Sequence, residues 1–237
     1  MRFVIEDVFL SLADTDARRK MTDRIEEKHP GVSGTVIARS ILSRPIEAFY
    51  IGEGDRYITI LGAHHALESI TVNIAYLLID YIASSRNNTL LKGVDCKLLL
   101  SKYRFAIVPC VNPDGIELRC HGAEKTPLYD RQIRISGGDF SSWQANARGV
   151  DLNHNYDFGF SEYKRIEAGL GISAGATLYS GEYPESEPET RGVANLIRTI
   201  SPVAVVSLHS QGEENFCFSG YGKSRTNREK TCRYDGI

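Results

Sequence analysis

Three short apolar runs, each followed at once by polar residues, constrain the fold of this chain more than any other feature. The runs cover Tyr57–Leu61, Arg104–Val111 and Val203–Leu208, and they have the length and β-branched content of buried strands. Two stretches with apolar residues at helical spacing, Glu68–Ala83 and Glu185–Thr199, alternate with them. Strands that alternate with helices predict an α/β fold, in which ligands bind at the carboxyl ends of the strands.

The N-terminal part of the chain adds one helix and two strands to this pattern. Asp14–His29 predicts a helix, and Val32–Arg39 and Ile46–Ile51 predict strands joined by a turn or hairpin. The region Gly115–Asn146 is long and irregular, which predicts a functional loop. The last residues, 224–237, are polar without an apolar stripe and predict an unstructured tail.

Composition excludes several classes of partner. The chain has 237 residues, of which 42% are hydrophobic and 24% charged, as in ordinary globular domains. Its 28 Lys and Arg against 30 Asp and Glu give a net charge of −2, so neither a nucleic acid nor an anionic membrane is expected as the main partner. No apolar stretch approaches the roughly 18 residues that span a bilayer, and the N-terminus lacks the sections of a signal peptide. We therefore expect a cytoplasmic protein without membrane insertion.

The cysteines are scattered, odd in number and without a C-x-x-C pair. This spacing argues against a disulfide framework and against a cysteine-ligated zinc site, and it fits a reducing compartment. The five are Cys96, Cys110, Cys120, Cys217 and Cys232.

Three residues form a candidate metal site. His65 and Glu68, three apart, follow one predicted strand, and His209 follows another. Residues three apart on a first helical turn share a face and converge on one ion. Two imidazoles and a carboxylate, with the fourth position open, are typical of catalytic zinc. His64 is an alternative ligand, because an i, i+4 pair also converges, but we favour His65 and expect His64 beside the ligands or facing the core.

Two polar motifs lie between the halves of this site. The segment Asn112–Gly115, with the sequence N-P-D-G, has strong turn chemistry. Ala147–Tyr156 contains an arginine, an aspartate, two asparagines and a histidine. Such a segment is either a functional site or a solvated polar loop. Asp151 is expected to orient a ligand histidine, and Asn153 and His154 to hold a carboxylate or carbonyl of a substrate.

Taken together, these residues resemble the zinc carboxypeptidase family over roughly Thr22–Lys223. Within the family, the chain is most similar to bacterial γ-D-glutamyl-meso-diaminopimelate peptidases, on the evidence of Ser40–Ala48, His154 and His209–Glu214. The matching blocks, in order, are Gly62–Thr71, Val108–Leu118, Gly149–Asp157, Tyr179–Thr190 and Ser207–Tyr221.

The resemblance implies a mixed, mostly parallel twisted sheet flanked by helices. It also implies one zinc ion on His65, Glu68 and His209, and a peptide or muropeptide as the substrate. Asn153 matches the asparagine that binds the terminal carboxylate in the family. His154 stands where typical members have an arginine, which fits a substrate with a different recognised end, such as diaminopimelate.

Two catalytic parts of the family pattern lack a clear match. The family places an arginine before the Asn153 motif to stabilise the oxyanion, and Arg148 is the nearest candidate. It supplies the general-base glutamate from an apolar strand well beyond the third zinc ligand, whereas Glu229 and Tyr234 lie in polar surroundings. We therefore identify no catalytic base. We expect residues 1–223 to form an incomplete zinc peptidase domain, lacking the C-terminal strand and helix, that folds poorly or is inactive.

Two other functions are compatible with the same residues. One is a zinc amidohydrolase that deacylates N-acyl amino acids, which cleavage of acyl amino acids rather than muropeptides would distinguish. The other is a non-catalytic zinc-binding remnant, which bound zinc without turnover would favour.

Overall fold

A computed structural model of the chain describes residues 13–87 and 93–211. Within them, one five-stranded sheet is combined with seven α-helices, as expected for an α/β fold. The strands are β1 (Gly34–Arg39), β2 (Pro45–Ile51), β3 (Arg56–Leu61), β4 (Tyr103–Val108) and β5 (Ala204–Ser207). The helices are α1 (Thr15–Lys28), α2 (Ile70–Ser84), α3 (Cys96–Lys102), α4 (Pro113–His121), α5 (Tyr129–Ser136), α6 (Phe160–Leu170) and α7 (Pro188–Ile200).

The sheet has the strand order β1-β2-β4-β3-β5. Strand β3 runs parallel to both β4 and β5, whereas β1–β2 and β2–β4 are antiparallel pairs. The predicted mixed sheet flanked by helices is confirmed, and parallel and antiparallel pairs are equal in number among the described strands. The short turn between β1 and β2 allows only an antiparallel hairpin, because a parallel pair needs a long crossover.

Apolar side chains cover both faces of the sheet. Phe49 and Ile107 face a core shared with α1 and α2. The alternate residues, Ala48 and Val108, face a second core to which Val193 of α7 contributes. This alternation follows from the period of two along a strand. Packing on both faces holds the sheet rigid, and with it the strand ends that precede the polar motifs.

Several predicted elements are confirmed with small shifts at their ends. Helix α1 begins at Thr15, because the Asp14 side chain caps it by accepting a hydrogen bond of 2.9 Å from the amide of Ala17. The helix predicted from Glu68 begins instead at Ile70, after a single 3₁₀ turn over Ala66–Glu68.

The prediction that Gly115–Asn146 is an irregular loop is wrong. The segment contains most of α4 and all of α5, which ends at the left-handed Gly137 (φ 65°). Helix α4 is short and lacks a clear apolar stripe, and the sequence therefore gives it no helical period. Helices α3 and α6 were likewise not predicted. The tail predicted at 224–237, with Glu229 and Tyr234, lies outside the described residues.

Strand β5 forms one edge of the sheet in the part of the chain that the structure describes. It pairs with β3 on one side, and Val203, Val205 and Val206 are each close to half exposed (52%, 46% and 45%). The three cysteines in the described ranges are free thiols. Across residues 13–87 and 93–211, no helix is both long enough and apolar enough to cross a membrane.

Candidate metal centre

The parallel pairing of β3 with β5 brings two distant segments together. Leu61 lies opposite Ser207 in the register of the two strands, and the amide of Leu208 donates a 2.8 Å hydrogen bond to the Leu61 carbonyl. Both strands therefore end at the same edge of the sheet. His65 follows β3, and His209 follows β5, so their imidazoles meet there.

The predicted ligand set converges around a buried carboxylate. The Oε1 atom of Glu68 lies 3.3 Å from His65 Nδ1, and its Oε2 atom lies 2.8 Å from His209 Nδ1. One ligand atom from each of the three residues lies within 4.8 Å of the others. Glu68 is 2% exposed, so its charge has little access to water. Two imidazole nitrogens and one carboxylate are a donor set that zinc prefers, and the residues fit this metal.

Asp151 holds the first histidine from behind. Its Oδ1 atom lies 3.2 Å from His65 Nε2, while Oδ2 accepts hydrogen bonds from the Leu178 amide (3.0 Å) and the Thr177 hydroxyl (3.2 Å). Burial acts to raise the pKa of Asp151, but the hydrogen bond and charge of His65 outweigh it and lower the pKa to about 2. Burial acts to lower the pKa of His65, but the hydrogen bonds and charges of Asp151 and Glu68 outweigh it, so the pKa of His65 is raised. Asp151 thus occupies the position of an orienting carboxylate.

Asn112, which the sequence predicts only as part of a turn, holds the backbone at the site in place. The two N–H groups on Asn112 Nδ2 are shared among the carbonyls of His64 (3.0 Å), Gln144 (3.2 Å) and Ala145 (3.1 Å). Ala63 adopts a left-handed conformation (φ 49°), which costs about 1 kcal/mol or more and persists only where neighbours enforce it. The N-P-D-G motif predicts a turn from local chemistry and does not predict these contacts with residues far away in the chain.

His64 lies beside the ligands rather than among them. Its ring is 2% exposed; Nε2 lies 2.8 Å from the Tyr156 hydroxyl, and Nδ1 lies 3.3 Å from Ser207 Oγ. Burial, together with the charges of His209 and His65, lowers the pKa of His64 to about 3, so the ring is neutral. Both Tyr156 and Ser207 lie in motifs named from the sequence, but no role was predicted for either residue.

The two predicted substrate residues after Asp151 have different surroundings. Asn153 is exposed, and its Nδ2 atom lies 3.4 Å from His209 Nε2, next to the metal centre. His154 is partly buried and stacks on Tyr163, with ring centroids 3.9 Å apart and planes 6° from parallel. Burial is the main cause that lowers the pKa of His154, despite the attraction of the Asp151 charge.

Arg148, the candidate for the oxyanion arginine, pairs with a buried acid instead of the ligand set. Its Nε atom lies 3.5 Å from Glu187 Oε2, and the side chain is 40% exposed. Its main-chain carbonyl accepts a 3.0 Å hydrogen bond from Arg131. These two contacts place Arg148 beside the start of α7, and neither of them joins it to His65 or His209.

A second buried acid lies next to this pair. Glu189 is fully buried, and its Oε1 atom accepts a 3.2 Å hydrogen bond from the Ile41 amide. Burial, reinforced by the charges of Asp114 and Glu187, raises the pKa of Glu189 to about 8. The two glutamates connect the start of α7 to Asn146, whose Nδ2 atom donates to Glu187 at 2.7 Å. They thereby support the turn that precedes Asp151.

Comparison with known proteins gives consistent relatives. The sequence profile described as "Zinc carboxypeptidase" matches residues 19–235. The chain is 30% identical over 193 residues to gamma-D-glutamyl-L-diamino acid endopeptidase 1 of Lysinibacillus sphaericus. The aligned region covers 80% of this chain and 48% of that protein. It is 34% identical over 111 residues to murein peptide amidase A of Escherichia coli, covering 45% and 36% respectively. The chain thus spans about half, or less, of the length of these relatives.

Solved structures agree on the fold. Bovine thrombin-activatable fibrinolysis inhibitor, in complex with tick carboxypeptidase inhibitor, superposes with a TM-score of 0.65 at 23% identity, covering 92% of this chain and 67% of that one. Carboxypeptidase A from Helicoverpa armigera gives a TM-score of 0.61 at 18% identity, covering 86% and 47%. At these identities the likeness concerns the fold alone. The sequence profile, which matches most of the chain, shows that this protein belongs to the zinc carboxypeptidase family.

Proposed function

We propose that this protein is a zinc-dependent peptidase that acts on the γ-D-glutamyl–diaminopimelate bond of cell-wall peptides. The observation that carries the proposal is the convergence of His65, Glu68 and His209 at one edge of the sheet. The substrate class is supported by two relatives, which are named as a γ-D-glutamyl-L-diamino acid endopeptidase and a murein peptide amidase.

The residues of the metal centre have separate tasks. His65, Glu68 and His209 would hold one zinc ion. Bound zinc polarises a carbonyl and lowers the pKa of a bound water. Asp151 accepts the Nε2 proton of His65, which leaves the Nδ1 lone pair facing the metal position.

Two residues beside the centre bear on the substrate. The exposed amide of Asn153, next to His209, is available to hydrogen-bond a peptide or carboxylate. His154 stands where typical family members have an arginine. The pKa of its imidazole is lowered, so it carries no fixed positive charge. It also cannot bind a C-terminal carboxylate through two parallel hydrogen bonds, as a guanidinium does. This favours a substrate end that carries its own ammonium group beside the carboxylate, as meso-diaminopimelate does.

Hydrolysis also needs a group that moves the proton of the attacking water to the leaving amine. Within residues 13–87 and 93–211, Glu68 is a metal ligand and Asp151 is hydrogen-bonded to His65, so neither is free for that task. Zinc binding, peptide binding and turnover therefore have to be measured separately.

The test uses the full 237-residue chain with zinc added. Metal content, calorimetric binding of γ-D-glutamyl-meso-diaminopimelate and release of diaminopimelate are measured for the wild type, His65→Ala and His121→Ala. The last is a matched control, because His121 is a largely exposed histidine on α4. We expect zinc and peptide binding to be lost in His65→Ala and retained in His121→Ala.

The outcomes separate the possible functions. Turnover by the wild type above the His65→Ala level keeps the proposed function and contradicts the expected inactivity. Preferential binding or cleavage of an N-acetyl amino acid replaces the proposal with an amidohydrolase. Zinc binding without affinity for either compound supports a non-catalytic remnant, and the absence of zinc binding overturns the metal site itself.

A further inference from the structure

A continuous line of polar groups leads from the interior of the protein to the back of His209. The Tyr156 hydroxyl lies 2.8 Å from His64 Nε2, and His64 Nδ1 lies 3.3 Å from Ser207 Oγ. The same Ser207 oxygen lies 3.3 Å from His209 Nε2. The opposite ring nitrogen of His209, Nδ1, faces Glu68. The line therefore meets the third metal ligand on the side that faces away from the metal position.

His64 is held rigidly enough to anchor this line. Its ring is buried, and its carbonyl accepts the 3.0 Å hydrogen bond from Asn112. Its neighbour Ala63 is fixed in a left-handed conformation. The ring centroids of His64 and His209 lie 6.2 Å apart, and the ring planes are 28° from parallel. Ser207 is exposed, and its hydroxyl can turn toward water, so the fixed ring of His64 gives that hydroxyl a defined partner.

The hydrogen bonds have one direction that suits a metal ligand. When Nδ1 of His209 offers its lone pair to a metal, Nε2 carries the proton and donates it to Ser207 Oγ. The Ser207 hydroxyl then donates to His64 Nδ1, and His64 Nε2 donates to the Tyr156 oxygen. Both ring nitrogens of the buried His64 then have a hydrogen-bond partner, as a buried polar group requires.

We propose that His64, acting through Ser207, is a positioning residue that holds the His209 ring with Nδ1 toward the metal, and that Tyr156 anchors the buried end. The proposal rests on the zinc site described under the proposed function. It gives His209 a support analogous in kind to the one that Asp151 gives His65, but built from neutral groups.

Asn153 does not offer the same support. Its Nδ2 atom, a donor, is the atom that lies 3.4 Å from His209 Nε2, and a donor cannot accept the Nε2 proton. Ser207 is therefore the group that fits the metal-binding tautomer of His209.

The test measures metal affinity in the full chain by competition with a chelator, together with the absorption spectrum of the Co²⁺-loaded protein. Partners behind ligand histidines are worth roughly 10–100-fold in metal affinity. We expect losses of that size in Ser207→Ala and in His64→Leu, which keeps an apolar side chain of similar size. His64→Asn, whose amide oxygen can replace Nδ1 as the acceptor, should retain affinity within a few fold. Ser210→Ala, a hydroxyl loss on the other side of His209, is the matched control and should match the wild type.

The double variant His64→Leu/Ser207→Ala tests the connection between the two residues. If they act in series, the double variant loses no more affinity than either single variant. Wild-type affinity in Ser207→Ala or His64→Leu would overturn the proposal. So would equal losses in His64→Asn and His64→Leu, which would mean that packing matters rather than the acceptor, and so would additive losses in the double variant. A wild-type chain that binds no metal would instead contradict the zinc site. Circular dichroism confirms that each variant compared is folded.

Discussion

Two buried carboxylates, Asp151 and Glu189, have opposite electrostatic environments. Asp151 receives hydrogen bonds from an imidazole, an amide and a hydroxyl, which together keep it ionised despite burial. Burial, together with two other acids nearby, Asp114 and Glu187, outweighs the hydrogen bonds that Glu189 accepts and raises its pKa to about 8. Burial alone therefore does not decide the charge of a carboxylate here, because the neighbours do.

The raised pKa of Glu189 predicts a pH dependence of stability. The folded state binds this proton more tightly than the unfolded state, whose value is the ordinary 4.5. The stabilisation is complete below that pH and is lost as the pH rises through about 8. Glu189→Gln, which resembles the protonated acid, removes this dependence. We expect the unfolding free energy of the wild type to fall relative to the variant across this window, measured by urea denaturation at several pH values.

A matched substitution tests the cause. Glu162 is exposed in the first turn of α6, and Glu162→Gln should leave the difference from the wild type constant across the same window. Parallel stability curves for Glu189→Gln and the wild type would show that Glu189 is ionised in the folded protein at neutral pH, contrary to this prediction.

At the scale of elements, the N-P-D-G motif begins a helix rather than forming a simple turn. The Asn112 side chain accepts a 2.9 Å hydrogen bond from the Gly115 amide, and Pro113 occupies the first turn, where its missing N–H costs nothing. Gly115 has no room for a side chain, because a Cβ there would lie 2.4 Å from the Ala145 carbonyl oxygen. Local chemistry thus explains the start of α4, but not what α4 contacts.

Asp114 fastens α4 to the turn between β1 and β2. Its carboxylate is fully buried and accepts hydrogen bonds from Ser40 Oγ (2.8 Å), the Leu42 amide (2.8 Å) and Arg44 Nη1 (2.9 Å). Asp114→Ala leaves the Ser40 and Leu42 donors without this acceptor and leaves the mostly buried Arg44 with Glu124 as its remaining acidic partner, so we expect a loss of about 3–5 kcal/mol in the unfolding free energy. Chemical denaturation measures this loss.

The matched control for that prediction is Asp130, an exposed aspartate in the first turn of α5. Both acids favour a helix N-terminus through the helix dipole, which is a small effect at an exposed site. Asp130→Ala should therefore cost far less than Asp114→Ala. Equal losses in the two variants would mean that the helix dipole, and not the link to the turn, accounts for the role of Asp114.

At the scale of the whole molecule, the exposed strand β5 is the feature with the clearest consequence. In the described part of the chain its outer edge pairs with no other strand, and Val203, Val205 and Val206 keep about half of their surface exposed. Unpaired apolar edges add strands from other chains. Where no other segment covers this edge, we expect it to promote self-association as the protein concentration rises, and Val205→Lys to reduce this association, measured by sedimentation velocity.

The control for this prediction is an exposed apolar residue away from the edge. Phe158 is 91% exposed in the loop before α6, and Phe158→Lys should leave the association unchanged. An equal reduction by both substitutions would point to general apolar contact instead of strand pairing, and a chain that stays monomeric would contradict the prediction altogether.

Local properties of the sequence predict the α/β alternation and the candidate metal ligands. Apolar runs and residue types are local properties, and they were enough to single out His65, Glu68 and His209. Only the tertiary structure decided that His64 lies behind the ligands, that Arg148 pairs with Glu187, and that Gly115–Asn146 contains helices. These features depend on strand order and register, above all on Leu61 lying opposite Ser207. The free energy of such long-range pairing comes from contacts between residues far apart in the chain, which no local pattern records.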